Sequence, residues 1–306
     1  MNNEKYVQDK KIAVLDIGGT SIKSAIFRNG CLYEVKETDT NAILGGNYVI
    51  NRAKEILKSY GDFDGIGIST AGQVDFEKGK IRYANNNIPG YTGMPIKEIL
   101  DTEFQVPVIV ENDVNAAAIG EAHYGAGIGF QNFICLTYGT GVGGAIVLNG
   151  DIYRGSTFSA GEMGAMIIHP EDRDAMKDMY SGCYEKYAST SALVSKVSSI
   201  DHSITNGREI FKALDRKEIK AAVDQWIQEI SFGLSSLIHI FNPSCVILGG
   251  GVMEQEYILD HVKENVMINI MESYRNVLIT KTELGNKAGM FGAASLLLYN
   301  GLDLSK

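Results

Sequence analysis

The spacing of apolar and polar residues along the chain predicts a mixed α/β protein. Short β-branched and apolar runs predict buried strands, and those between 11 and 36 are joined by tight glycine turns. Apolar residues at helical spacing predict a helix at 47–60 and a long amphipathic helix at 219–241, which Pro243 ends. The predicted strands are 11–17, 21–27, 31–36, 65–69, 108–110, 133–137, 142–147, 151–153, 245–248 and 277–280.

The pattern of the first strands recurs in the middle of the chain. Strand, Gly/Thr turn and strand occupy 15–27, and the same succession begins again at 133 and runs to 153. An internal repeat of this kind predicts two similar halves. Because the repeat restarts after residue 118 and the last helix can return to the first half, we expect a domain of residues 1–114 plus 294–306. We expect a second domain of residues 115–293.

The stretch from Val108 to Glu121 joins a buried strand to an Ala-rich helix. Between them lie three polar residues, Glu111, Asn112 and Asp113. A carboxylate at the carboxyl end of a buried strand, where a helix opens, is where α/β folds place catalytic groups. Asp113 is therefore a candidate general base, and it is equally a candidate N-cap of the helix. The stretch alone favours neither role.

Three glycine-rich loops follow predicted strands. Two glycines let backbone N–H groups turn towards an anion, and a threonine adds a hydroxyl. One such loop is ordinarily only a turn, but two at equivalent places in a repeat favour phosphate binding. No GxxxxGK[ST] motif and no GxGxxG after the first strand is present, which argues against a P-loop or a dinucleotide domain. The loops are Asp16-Ile17-Gly18-Gly19-Thr20, Thr137-Tyr138-Gly139-Thr140-Gly141 and Gly249-Gly250-Gly251.

Composition narrows the classes of function. The 306-residue chain has a net charge of −9, and an acidic protein repels nucleic-acid backbones, so we expect no nucleic-acid partner. No stretch is apolar enough to cross a bilayer, and the polar start of the chain carries no secretory signal. Four scattered cysteines without a CxxC pair suit free thiols in the cytoplasm.

Taken in order, these motifs resemble those of the ROK family (repressors, open reading frames and sugar kinases) within the actin-like ATPase and hexokinase superfamily. The similarity covers nearly the whole chain. It implies an α/β fold of two actin-like, ribonuclease H-like domains with a central cleft. The matching segments are the first phosphate motif at Asp16–Lys23, the catalytic segment at Glu111–Ala116, the second phosphate motif at Leu136–Gly144, the GE-G motif at Gly161–Gly164 and the adenosine motif at Leu248–Val252.

The resemblance implies transfer of phosphate from ATP to a sugar hydroxyl, with Mg²⁺ carried by ATP and held through water by Asp16. Asp113 matches the catalytic base. The residues implied to bind sugar are Gly72, Asn87, Asn112, Asp113, Glu162 and, with a weaker match, Glu185. Those implied to bind the nucleotide are Asp16, Gly18, Gly19, Thr20, Lys23, Thr137, Gly139, Thr140, Gly141, Gly249, Gly250 and Gly251.

The chain departs from the family after the GE-G motif. Many members have a histidine there and a downstream cysteine cluster, which bind a structural zinc. Here the position is Ala165, and Cys183 is the one cysteine left in the region, so we expect no structural zinc. His169 is expected to be an ordinary surface residue.

Alanine at position 165 opens space where the resemblance places the anomeric carbon. We therefore expect a substituent at C1, as in a β-glucoside phosphorylated at its 6-hydroxyl. If Met166 or Tyr180 fills that space, the substrate is free glucose or N-acetylmannosamine instead. A non-catalytic sugar sensor or transcriptional regulator is the alternative from another class, and the family resemblance also implies a homodimer.

Overall fold

The computed structural model describes residues 10–299. The first half of the chain forms a five-stranded sheet in the order β3-β2-β1-β4-β7 and a small separate hairpin of β5 and β6. Strand β1 pairs antiparallel with β2 and parallel with β4, which pairs parallel with β7. These strands are β1 (Ile12–Ile17), β2 (Ser21–Arg28), β3 (Cys31–Asp39), β4 (Gly65–Thr70), β5 (Gln73–Asp75), β6 (Lys80–Tyr83) and β7 (Val108–Asn112).

One face of this sheet is packed with apolar side chains. Successive residues of a strand point to opposite faces, so Ala13, Leu15 and Ile17 share one face. They are fully buried in one cluster with apolar residues of helices α1 (Gly46–Lys58) and α2 (Ile96–Phe104). The apolar periodicity therefore predicted β1 and α1 correctly.

Small residues cover the other face. Helices α3 (Asp113–Tyr124) and α9 (Ala288–Tyr299) pack together there, and α9 crosses β1 and β4. A Cβ added to Gly67 would lie 2.7 Å from the carbonyl oxygen of Ala293, and one on Gly292 would meet the backbone of Ala116. The glycine and alanine content of these elements thus permits close backbone packing.

The second half repeats the first. Its sheet has the order β10-β9-β8-β11-β12, with β8–β9 antiparallel and β8–β11 and β11–β12 parallel. The predicted internal repeat is therefore confirmed. The strands are β8 (Phe133–Tyr138), β9 (Val142–Leu148), β10 (Asp151–Ile152), β11 (Cys245–Gly249) and β12 (Leu278–Lys281). The helices are α4 (Tyr184–Ala188), α5 (Thr190–Ile200), α6 (Gly207–Lys212), α7 (Lys217–Phe241) and α8 (Glu256–Asn269).

Within the described residues the chain divides into two compact units. Unit one holds 10–129, 152–160 and 283–299, and unit two holds 130–151 and 161–282. These limits differ from the expected ones at 114 and 294, because α3 and α9 pack along each other and both belong to unit one. The expected terminal parts 1–9 and 300–306 lie outside the described residues.

The hairpin of β5 and β6 follows β4 after a two-residue turn. The glycine triplet leads into a short 3-10 helix, Gly251–Glu254, and α8 begins only at Glu256. Between residues 10 and 299, no helix has the length and apolar character needed to cross a membrane.

Candidate active site

Asp113 lies at the first turn of α3, directly after β7 ends. The residue that caps the helix is Asn112: its side-chain oxygen accepts hydrogen bonds from the N–H groups of Val114 (3.0 Å) and Asn115 (3.1 Å). The proposed capping role of Asp113 was therefore wrong. Because Asn112 satisfies the helix start, the Asp113 carboxylate does not have to serve as the cap.

Three of the predicted sugar-binding residues are brought together here. The amide nitrogen of the Asn112 side chain donates to Oδ1 of Asp113 (2.9 Å) and to the carbonyl oxygen of Gly72 (3.0 Å). Oδ1 of Asp113 also accepts from the N–H of Val114 at 2.9 Å. Gly72 has φ +97°, and a Cβ there would lie 2.9 Å from the carbonyl of Tyr83. The turn after β4 thus requires glycine.

The electrostatic environment of Asp113 suits a base. Burial, and after it the negative charge of Asp16, raise the pKa of Asp113 to about 7, against hydrogen bonds from Val114 and Asn112 that lower it. A carboxyl group with a pKa near neutral is ionised often enough to accept a proton and basic enough to hold it.

Asp16 lies in β1, at the edge of the sheet where β7 ends before Asp113. We call this edge the catalytic edge and define it as the carboxyl ends of β1, β4 and β7. Its carboxylate accepts a hydrogen bond from Ser69 of β4 (2.7 Å) and lies 3.7 Å from Nζ of Lys23. Burial raises the pKa of Asp16, although Ser69 and Lys23 both act to lower it. A carboxylate in this position fits a role in holding hydrated Mg²⁺.

The first phosphate loop follows Asp16. Gly18 is anchored by its N–H to the carbonyl of Ser21 (3.0 Å) and by its carbonyl to the hydroxyl of Thr40 (2.7 Å), while Gly19 and Thr20 are exposed. A Cβ on Gly19 would meet nothing within 4 Å. The loop is thus fixed at its base and open at its tip.

The second phosphate loop has the same form in unit two. Gly139 and Thr140 are exposed between β8 and β9, and the N–H of Gly139 donates to the carbonyl of Gly141 at 3.0 Å. Gly250, with φ +107°, packs against the carbonyl of Tyr138, so the adenosine motif contacts the base of this loop. Thr137 precedes the loop in β8 and pairs with Gly249 of β11.

Glu162 and Glu185 also lie in unit two. Glu162 is exposed at the start of a 3-10 helix, Met163–Ala165, whose Met163 is buried. Oε2 of Glu185 accepts from the N–H of Val142 at 3.0 Å, and a Cβ on Gly141 would collide with it. The structure therefore places Glu185 against the second phosphate loop.

Asn87 is separate from the hydrogen-bonded group of Gly72, Asn112 and Asp113. It lies in an exposed turn, where its N–H donates to Oδ1 of Asn85 at 3.1 Å. Its role in sugar binding stays a prediction.

Three residues at or beside the catalytic edge were not identified as functional from the sequence. Ser69 had a usable signal, since a polar residue ends a buried strand next to β1. Glu111 was quoted only as part of a motif, yet it is 1% exposed and contacts Arg154. Arg154 is 43 positions further along the chain and had no signal in the sequence.

The segment after the GE-G motif is held by polar contacts. His169, expected at the surface, is half-buried, and its ring nitrogens lie 2.8 Å from Glu171 and 2.8 Å from Glu229 of α7. Burial lowers the pKa of His169, but both carboxylates raise it, and the net shift is upwards. Ala165 is exposed.

Comparison with known proteins agrees with this geometry. The model of the ROK family matches residues 12–299. A glucokinase of Halalkalibacterium halodurans is 30% identical over 95% of this chain and 96% of its own length, and a beta-glucoside kinase of Listeria monocytogenes is 31% identical over 92% and 96%. The ROK family glucokinase of Streptomyces griseus, solved with glucose and AMPPNP, superposes with a TM-score of 0.80 at 29% identity, covering 94% of this chain and 98% of that one.

The repeated sheet, the paired glycine loops and the carboxylate at the catalytic edge define an actin-like, two-domain sugar kinase. Within that class the chain belongs to the ROK family. The expected fold class and family are confirmed.

Proposed function

We propose that this protein transfers the γ-phosphoryl group of ATP to the 6-hydroxyl of a hexose or hexoside, with Asp113 as the general base. The observation that carries the proposal is the Asp113 carboxylate itself. It is held at the catalytic edge by Asn112 and Val114, and its surroundings raise its pKa to about 7. The chain is accordingly an ATP-dependent carbohydrate kinase.

The reaction needs one proton acceptor and one leaving group. The sugar oxygen forms a bond to the γ-phosphorus, its proton passes to Asp113, and the bond from phosphorus to the β–γ bridging oxygen breaks to release ADP. Asp113 must be ionised to accept the proton. The hydrogen bonds to one carboxylate oxygen leave the other available to the sugar hydroxyl.

The remaining residues supply binding and charge. Asp16 would hold the Mg²⁺ of ATP through its water shell, and this ion neutralises charge on the phosphates. Exposed N–H and hydroxyl groups of the two loops bind phosphate oxygens, and the adenosine motif binds the nucleoside. We assign sugar hydroxyls to Asn87, Asn112, Glu162 and Glu185, because a carboxylate or amide matches the paired donor and acceptor of a hydroxyl.

The substrate class follows from position 165. An exposed alanine leaves room beside the GE-G motif, and this favours a sugar with a substituent at C1, such as a β-glucoside. One similar protein is named a beta-glucoside kinase, whereas another is named a glucokinase. Free glucose and N-acetylmannosamine are therefore the competing substrates.

A coupled ADP-release assay with cellobiose, glucose, fructose and N-acetylmannosamine tests both parts of the proposal. We expect the highest kcat/KM with cellobiose and loss of turnover in Asp113→Asn, with sugar binding retained in calorimetry. Equal or better turnover of glucose would reject the C1 substituent. Retained turnover in Asp113→Asn would show that Asp113 is not the base.

We also propose a homodimer in the cytoplasm. The family membership supports the dimer, and the four free cysteines suit a reducing compartment. Light scattering at micromolar concentration measures the assembly, and a mass of a single chain would contradict it.

A further inference from the structure

Residues 152–160, which we call the strap, leave β10 and run into Gly161 and Glu162, yet they pack within unit one. Arg154 of the strap donates from Nε (2.8 Å) and Nη2 (2.7 Å) to Oε2 of Glu111 at the end of β7. Its guanidinium lies 3.8 Å above the ring of Phe76. Further along the strap, Ser159 donates to the side chain of Gln73 at 2.9 Å. The strap is therefore fixed at two places, to the end of β7 through Glu111 and to β5 through Gln73.

The second oxygen of Glu111 acts on the start of α3. Oε1 accepts from the N–H of Asn112 (2.8 Å) and from the side chain of Asn115 (3.2 Å). These two residues lie on either side of Asp113 and Val114. A carboxylate that is 1% exposed needs a compensating cation, and Arg154 supplies it. The Arg154–Glu111 pair therefore contacts the residues immediately before and after Asp113 and Val114.

We propose that Arg154 is a positioning residue for phosphoryl transfer, acting through Glu111 to hold Asn112 and Asp113 in the reactive orientation. The inference rests on the proposed role of Asp113. The strap then has the function of supplying Arg154 to Glu111. It continues directly into the segment that carries Glu162. A displacement of about 1 Å at the reacting groups lowers a rate about 100-fold. Loss of a contact to Asn112, the residue next to the base, is therefore expected to lower kcat.

The chemistry of this contact requires arginine. One planar guanidinium donates two N–H groups to the same carboxylate oxygen while its face stacks on Phe76. A lysine ammonium keeps the positive charge, but it cannot reproduce the paired donors and the stacking at once. Arg154→Lys therefore separates the effect of the positive charge on kcat from the effect of the paired donors and the stacking.

The experiment compares steady-state kinetics of Arg154→Lys, Arg154→Met, Glu111→Gln and the double variant Arg154→Met/Glu111→Gln. We expect kcat to fall about 30-fold in Arg154→Met and about fivefold in Arg154→Lys, with KM for ATP within about twofold of the wild type. The double variant should be at least about threefold faster than Arg154→Met, because it leaves no unpaired buried carboxylate. Arg216→Met is the matched control, since it removes a partly exposed ion pair with Asp201.

A folded Arg154→Met with wild-type kcat would overturn the proposal, and so would a double variant no faster than Arg154→Met. If Arg154→Met fails to fold, Arg154→Lys decides alone: wild-type kcat in that variant rejects the geometric role. Failure of the base assignment is distinguishable, because it appears as turnover in Asp113→Asn. Failure of the present proposal appears as wild-type kcat in Arg154→Met while Asp113→Asn is inactive.

Discussion

The two halves of this protein share one sheet order but use equivalent positions differently. Three residues join β1 to β2 in the first half, and three join β8 to β9 in the second. The antiparallel pair nearest to this loop is Ile17–Ile22 in the first half and Tyr138–Val142 in the second. One pair before it, Asp16 faces Lys23 in the first half, whereas Thr137 faces Gly143 in the second. The first half thus carries charges where the second half carries a hydroxyl and a glycine.

The difference continues on the neighbouring strands. Ser69 is the parallel neighbour of Asp16, and the corresponding neighbour of Thr137 is Gly249. Ser24 is fully buried and bonds Tyr60, while its counterpart Gly144 lies under the carbonyl of Gly161. The same framework therefore places ionisable side chains in one half and permits close backbone approach in the other.

The largest expected difference between the two halves is in kcat, when the charged residue Asp16 is replaced. Asp16→Asn should lower kcat about 100-fold, or about 2.7 kcal/mol of transition-state stabilisation, because the hydrated Mg²⁺ loses its anionic partner. The matched change Thr137→Ser keeps its hydroxyl and should stay within about threefold. Rates measured over a magnesium titration test this, and equal losses in the two variants would remove the functional contrast between the halves.

The next-largest expected effect is on stability and on KM, at the close backbone packing of Gly144 against Gly161. A Cβ on Gly144 would lie 2.6 Å from the carbonyl oxygen of Gly161 and 2.6 Å from Met163. Gly144→Ala should therefore cost about 2–3 kcal/mol of stability and raise KM for the sugar, since the segment with Glu162 is displaced. Ser24→Ala loses one hydrogen bond and should cost about 1 kcal/mol without a change in KM. Denaturant unfolding and kinetics together separate these outcomes.

Asp113 links activity to stability. Its pKa is raised to about 7 in the folded protein, so its protonation stabilises the fold at acidic pH and that stabilisation is lost as pH rises through about 7. The neutral variant Asp113→Asn should then be more stable than the wild type by about 2 kcal/mol at pH 8, roughly half the full shift because the side chain is partly solvated. Thermal unfolding should show this gap closing towards pH 4, and a gap independent of pH would contradict it.

The smallest effect lies in the second half, at His169. Because Glu229 and Glu171 raise its pKa, its charged contacts stabilise the fold below about pH 6.5 and are lost as pH rises above the raised value. His169→Gln should cost about 1 kcal/mol at pH 5.5 and less at pH 9. Glu229→Gln is the partner variant, and a larger loss at pH 9 than at pH 5.5 would exclude this role.

The sequence alone determined the framework and pointed to candidate functional residues. Apolar periodicity located the strands, the restart at residue 133 predicted the duplicated sheet, and the motif around Asp113 identified a candidate base. These features are readable because they are local: strand alternation, glycine turns and a polar residue after a buried strand each fit within a few positions.

Only the tertiary structure decided which of these residues act together. The capping role went to Asn112 rather than Asp113, because side-chain direction at the strand end selects the cap. His169 gained two carboxylate partners, one of them 60 positions away, and Glu111 gained Arg154 from the strap. The raised pKa of Asp113 likewise depends first on burial and then on Asp16, 97 positions earlier in the chain. Such long-range contacts and desolvation have no local signature, since they exist only once the sheet has brought distant strands to one edge.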